Sequence, residues 1–349
     1  MARLIPRGSS LWPDIGPEPA ADIIQRYKQQ WVGAWKDPDE DDRLREYISS
    51  LGEPIHFADA AGLYGYTENG AGKLVIPFRF AEHYFPGCWP GAAQERGDCV
   101  SHSSKNSALV TFASEIAFGQ PDQESGAVEV VPELPSAGVK EGAFSSESVY
   151  WWRGYNGDGW SCSTGSLMLV RHGILARKNY PSLNLDMTEY SGRLAGLYGS
   201  RQPTAEIDAE MKLHSFRTVA EASTFEEIRD ALAAGFGLSS CGGEGYASTR
   251  DPNGVSLRRG NWAHAMAIIG ADDRASTKAI YNEPLVLIMN SWGPWNDGPR
   301  RIRGTNIDIP EGSFWTPWSH CRNRDFHVIS GARGWRREKL PPFHIGIAA

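Results

Sequence analysis

The sequence is short of cysteine, of long apolar runs and of basic charge, and each shortage removes a class of protein. Its five cysteines, Cys88, Cys99, Cys162, Cys241 and Cys321, are scattered through 349 residues. An odd, dispersed set does not read as a disulfide framework; at least one thiol is free or paired with another chain, which favours a reducing, intracellular setting. No stretch approaches the roughly 18 apolar residues of a membrane span. The opening Met1 to Gly16 carries two arginines with no apolar run behind them, so it does not read as a secretory signal. With 35 Lys and Arg against 42 Asp and Glu, the formal net charge is -7, which argues against a nucleic-acid partner.

What is present is an ordinary globular composition, 41% hydrophobic and 22% charged, on a chain longer than one core usually serves. Two lobes, or one domain with extensions, are expected. Residues 1–75 read as an N-terminal helical extension. Ile24, Tyr27, Trp31 and Trp35 share one helix face, and Leu44, Tyr47, Ile48 and Leu51 share a second. Between them Lys36 to Asp42 reads as a solvated acidic linker. Its acids are spaced like a calcium loop, but Asp42 stands where the sharp-turn glycine belongs and Ile48 where the last carboxylate belongs. Leu63 to Phe80 predicts a hairpin turning at Asn69-Gly70. Gly70 to Lys73 is not a phosphate loop, since Leu74 replaces the Ser or Thr that would hold magnesium.

After Cys99 comes an amphipathic helix with Leu109, Phe112, Ala113, Ile116 and Ala117 on one face and Asp98 as its N-cap. A looser Gly-, Pro-, Ser- and Glu-rich stretch follows, from Gly119 to about Ser148. Two further helices are predicted. Ser166 to His172 ends at Gly173, and Ser223 to Ala234 has capping-box spacing and is stopped by Gly235. From Phe236 onward the pattern is short apolar runs, with Met266 to Gly270 and Leu285 to Met289 the clearest strands. The fold class is α+β, helical first and β-rich after a change near Gly192–Thr218.

Hydrolysis by a cysteine needs a thiolate, an imidazole that moves its proton, a group that orients the ring, and donors for the developing oxyanion. Cys99 lies at the first turn of a helix, where the dipole favours a thiolate. His264 precedes one apolar strand and Asn290 ends the next. Gln94, five positions before Cys99, offers a side-chain amide.

Gln94 to Ser101 resembles the nucleophile segment of papain-like cysteine peptidases. Asn261 to Gly270 is similar to their His-Ala strand, and Asn290-Ser291-Trp292-Gly293 matches their Asn-Ser-Trp-Gly motif letter for letter. Gly165 to Ile174 with Asn179-Tyr180-Pro181 carries a weaker likeness, and together these span residues 76–325. The resemblance implies a two-lobed fold: a helical lobe (76–200) with Cys99, a β-barrel-like lobe (201–330) with His264 and Asn290, and a tail (331–349), with the active site in the cleft. It implies a thiol protease that cleaves peptide or amide bonds through a Cys99 thioester. His264 would be the base, Asn290 the orienter and Gln94 an oxyanion donor. Trp292 would shield the His–Asn bond, and Gly157, Gly159 and Trp160 would border the substrate.

The sequence departs from that pattern in several places. Val100 replaces the usual aromatic, Arg96 replaces a cysteine so that the family disulfide is absent, and Gln94 is one residue closer to Cys99. The gap from His264 to Asn290 is longer, which predicts an extended connection around Asp272–Glu283. The Gly-Asp-Cys-Val form is more similar to divergent bacterial and tailed-phage members, implying a cytoplasmic or virion-associated protein.

The remaining residues have plainer readings. Cys88, Cys162, Cys241 and Cys321 read as core residues, His102 as helix surface or support, and the 13 tryptophans as core packing rather than sugar stacking. His83, Cys88, Cys99 and His102 could close a zinc site, but their spacing fits no common finger and leaves His264 and Asn290 unexplained. No metal or cofactor is expected. The expected partners are a peptide or protein substrate and an assembly partner reached through the N-terminal extension, with no nucleic acid and no membrane. Two other readings stay open: a non-catalytic papain-fold subunit of a virion or other assembly, and a thiol-dependent acyl transferase or amidase.

Overall fold

In the computed structural model, which describes residues 33–86, 89, 91–117 and 143–335, Ala34–Trp35 forms strand β1 and Pro38–Ser50 forms helix α1. Asp37 caps α1 by accepting the Asp39 N–H, Pro38 occupies the first turn, and Asp39, Glu40 and Asp41 sit at the positive end of the dipole. The acidic run is thus a helix start and not the predicted linker. Leu44 and Ile48 are buried as expected. Trp35, predicted as helix, is strand. Ile24, Tyr27 and Trp31 of that predicted helix lie outside the described residues.

The predicted Leu63–Phe80 hairpin is replaced by a different arrangement. Phe57–Tyr64 is α2, closed by Gly65 in the left-handed region (φ 77). The turns after it are held by buried carboxylates: Asp230 accepts the Glu68 and Gly70 N–H groups, and Asp273 accepts that of Gly72. Leu74–Val75, β2, pairs with Ala271 and Asp272, and Phe78–Tyr84 is α3. The Asn-Gly turn signal loses because distant acids satisfy the same backbone donors.

Cys99–Ala117 forms α4, a helix of 19 residues. Its Leu109–Ala113 face is apolar as predicted, but Ser101, Ser103, Ser104, Lys105, Asn106 and Ser107 are buried as well, so it is enclosed and not one-sided. Helices α3, α5 (Ser146–Tyr150) and α6 (Cys162–Arg171) pack on it. β3 (Trp160–Ser161) leads into α6, which begins four residues before the predicted Ser166. The pair β4 (Asn179–Tyr180) and β5 (Leu185–Asp186) follows, then α7 (Gly192–Tyr198) and α8 (Ala205–Lys212).

From Val219 the chain builds a sheet. Its strands are β6 (Val219–Ala222), β7 (Leu238–Tyr246), β8 (Arg258–Asp272), β9 (Leu285–Met289), β10 (Ser313–Pro317) and β11 (Asp325–Ile329). They run in the order β10-β9-β8-β7-β11-β6, with β2 beside β8, all neighbours antiparallel. β10 and β6 end the order without pairing with each other, so among the described residues the predicted barrel-like sheet is an open, seven-stranded one. Helix α9 (Phe225–Ala233) has the predicted capping box: Thr224 accepts the Glu227 N–H and Glu227 accepts that of Ser223. Helix α10 (Ala275–Tyr281) fills the extended β8–β9 connection.

Cys162 and Cys241, expected as separate core thiols, form a disulfide between the first residue of α6 and β7. Nothing local announces it, because they are 79 positions apart and meet only through packing. It removes the cysteine count as a ground for a reducing setting. Cys99 and Cys321 are free and buried, and Cys88 lies outside the described residues. No helix among the described residues is long and apolar enough to cross a membrane.

Candidate active site

Cys99 opens α4, whose first backbone bond runs from the His102 N–H to the Asp98 carbonyl. Asp98 does not act as the predicted side-chain cap. Its carboxylate accepts from the Tyr190 hydroxyl at 2.9 Å and faces His102 at 3.6 Å, fully buried. His102 is buried too, with Nε2 3.3 Å from Ser146 Oγ, and does not lie on the helix surface.

His264 lies on β8 opposite Gly242 of β7, and the ladder shifts register between Gly242 and Glu244. Such an irregularity beside a functional side chain re-aims it. The ring Nε2–H donates to Asn290 Oδ1 at 2.7 Å, and the same oxygen accepts the Ser291 N–H at 2.7 Å. Because a carboxamide oxygen only accepts, the proton is on Nε2 and the neutral ring keeps its lone pair on Nδ1. The Trp292 ring lies 4.6 Å from that of His264, followed by Trp262, Trp295 and Phe314 in contact, so the His–Asn bond is sealed by aromatics.

The backbone N–H groups of Val100 and of Ala265, the residue after His264, favour a thiolate on Cys99. Burial pushes its thiol up to about 12, helped by the charge of Asp98 and opposed by those two donors. Burial likewise lowers His264 to about 3; Asn290 opposes this, whereas Arg324 and His102 add to it. In this conformation the pair is therefore a neutral thiol and a neutral imidazole.

The chain's own Gly33–Trp35 passes close to Cys99. Ala34 and Trp35 run parallel to Trp160 and Ser161, and the Trp160 N–H donates to the Gly33 carbonyl at 3.0 Å. A Cβ on Gly33 would stand 3.7 Å from Cys99 Sγ but only 1.7 Å from the Ala263 carbonyl oxygen, so only glycine fits there. Lys36 pairs with Asp325, Arg45 donates to Glu221 at 2.8 Å, and Thr164 donates to Glu40 at 2.8 Å. The segment is thereby tied both to the sheet and to α6.

Gln94 joins the two sequence motifs. Its N–H donates to the Ser291 carbonyl at 2.7 Å, its Oε1 accepts from the Ser291 hydroxyl, and its Nε2 donates to the Arg96 carbonyl at 2.6 Å. Gly159 donates to the Gly97 carbonyl at 2.7 Å, and the Gly157 and Gly159 carbonyls accept from Arg153, so both glycines brace the nucleophile segment. Sequence reasoning named Cys99, His264, Asn290, Gln94 and Trp292 as candidates, and the fold brings them into one region. It missed Gly33, Tyr190 and Arg324, none of which belongs to a local pattern. Among the described residues no group of three or more His, Cys, Asp or Glu gathers as a metal site.

No family model matches the chain, and no curated sequence matches it. Among solved structures, the chain is similar to xylellain, a cysteine protease from Xylella fastidiosa, at 16% identity and a TM-score of 0.43, covering 73% of this chain and 85% of that one. It is similar to a procathepsin B from Trypanosoma congolense at 12% identity and a TM-score of 0.37, covering 72% and 76%. A digestive procathepsin L 3 from the larval midgut of Tenebrio molitor gives 11% identity and a TM-score of 0.37, covering 88% and 97%. The solved structures that this chain resembles are thus papain-like cysteine proteases, at low identity.

Proposed function

We propose that the chain is a cysteine peptidase that hydrolyses peptide or amide bonds through a Cys99 thioester. The observation that carries this reading is the His264 Nε2–Asn290 Oδ1 bond of 2.7 Å, which leaves Nδ1 as the basic nitrogen of a ring whose next residue, Ala265, offers a backbone N–H that favours a thiolate on Cys99. The thiol proton passes to Nδ1 as Sγ attacks the carbonyl carbon. The oxyanion takes hydrogen bonds from the Cys99 N–H and the Gln94 side-chain amide. Collapse expels the amine with the proton from Nδ1, leaving the thioester. Water then gives a proton to Nδ1 and its oxygen to the acyl carbon, releasing the acid and returning the proton to sulfur. In this reading the site lies between two lobes, the helices around α4 and the sheet.

With Gly33–Trp35 across Cys99, the conformation described is a latent one, and withdrawal of the segment exposes the pair. Gly33→Val supplies the test, because a side chain there collides with the Ala263 carbonyl. Gly33→Val is expected to raise epoxide labelling of Cys99 and cleavage of casein or a quenched peptide library at least tenfold. Cys99→Ala and His264→Ala in the same background are expected to cleave nothing. A folded Gly33→Val protein that neither labels at Cys99 nor cleaves would overturn the peptidase reading. Unchanged labelling together with loss of self-association would favour a docking role for the N-terminal extension.

A further inference from the structure

Arg324, the residue before β11, has a fully buried side chain that reaches the strand carrying His264. One terminal nitrogen donates to the His264 carbonyl at 2.7 Å and, at 3.4 Å, to the carbonyl of Ser240. Nε donates to Ser240 Oγ at 3.1 Å, and the other terminal nitrogen meets the Glu244 carbonyl and carboxylate at 3.5 Å. The strand position paired with His264 is vacated for this side chain. A Cβ on Gly242 would lie 2.7 Å from Arg324 Cγ and 2.5 Å from Glu244 Oε2.

We propose that Arg324 is a positioning residue for the Cys99–His264 pair, fixing the His264 carbonyl and setting a buried positive charge close to both reacting groups. The inference rests on the catalytic reading of that pair. The charged groups that bear on the two are Asp98 just before α4, His102 within it and Arg324 just before β11, with Glu244 of β7 beside Arg324. Asp98 disfavours a thiolate on Cys99, and Arg324 favours it. Arg324 also disfavours a second positive charge on His264. A single fixed cation therefore pushes the thiol and the imidazole in the same direction, toward loss of their protons. A purely structural brace would have no such signature, since loosening the pair weakens their mutual attraction and drives the two apart in opposite directions.

The test is the pH dependence of Cys99 alkylation by iodoacetamide, mapped by mass spectrometry on the full-length Gly33→Val chain, with melting followed by circular dichroism. That reference is expected to show two titration steps. Arg324→Gln keeps an amide donor without the charge and is expected to move both steps to higher pH by about one unit. Arg324→Lys restores the charge and is expected to return both midpoints, even with a lower melting temperature. If Arg324→Gln does not fold, Arg324→Gln/Glu244→Gln removes the stranded carboxylate and should show a smaller shift in the same direction. Midpoints that stay in place in a folded charge-free variant, or that move in opposite directions, overturn this inference alone. A single step in the Gly33→Val reference overturns the catalytic reading with it.

Discussion

Around the amino end of α4 the buried neighbours are small and polar, Ser101, Ser103, Ser104, Asn106 and Ser107, whereas around His264 they are Trp262, Trp292, Trp295 and Phe314. The small residues let helix and sheet come close: a Cβ on Gly237 of the turn before β7 would sit 2.3 Å from the Ser107 carbonyl oxygen. At that distance directional bonds fix the register. Ser103 and Ser239 hydroxyls meet at 2.8 Å, and Thr111 both accepts the Gly237 N–H at 2.9 Å and donates to the Ile329 carbonyl at 3.0 Å. Helix α4 is thus fixed against the sheet by hydrogen bonds without slack, and the wall behind the His264 ring by volume. The two walls should therefore fail differently.

Trp295→Ala should have the largest effect, because the indole is fully buried and its Nε1 donates to the Gly312 carbonyl at 2.8 Å. Its loss is expected to cost about 3–5 kcal/mol in urea unfolding. A cost under about 1 kcal/mol would mean that packing does not hold the His264 wall.

Acid should weaken both regions. Burial lowers His264 to about 3 and His214, which lies against Phe112 and Phe144 of the helical part, to about 4, against 6.5 in the exposed chain. Below 6.5 the unfolded chain binds protons that the folded one refuses, so stability should fall as pH drops from about 6.5 toward 4. Replacing His214 by Gln should flatten part of that slope, and a slope identical to the parent's would remove His214 from the account.

Ser103→Ala sharpens the contrast at the smallest scale. Leaving Ser239 Oγ without its bond is expected to cost about 1–2 kcal/mol, whereas Ser103→Ala/Ser239→Ala should recover most of it. If the double variant is as destabilised as the sum of the two single ones, the hydroxyl pair does not act as a unit.

The same contrast explains what was legible in the sequence. Helix α4, the capped α9, strand β9 and the Asn290 turn were all readable, because each is written in neighbouring residues as a period, a cap or a motif. The candidate triad was readable for that reason. Ala34–Trp35 as a strand, β2 beside β8, the Cys162–Cys241 bond and Arg324 depend on partners 60 or more positions away. No local pattern encodes those pairings. Asn69-Gly70 misled for the converse reason: a strong local signal was overruled by Asp230.

The Cys162–Cys241 link has a mechanical consequence. Cys162 directly follows the strand that lies beside Gly33–Trp35, and Cys241 pairs with Ala265, next to His264. The covalent tether thus joins the start of α6 to the sheet, close to β3 on one side and to the His264 strand on the other. The two sides cannot slide apart there.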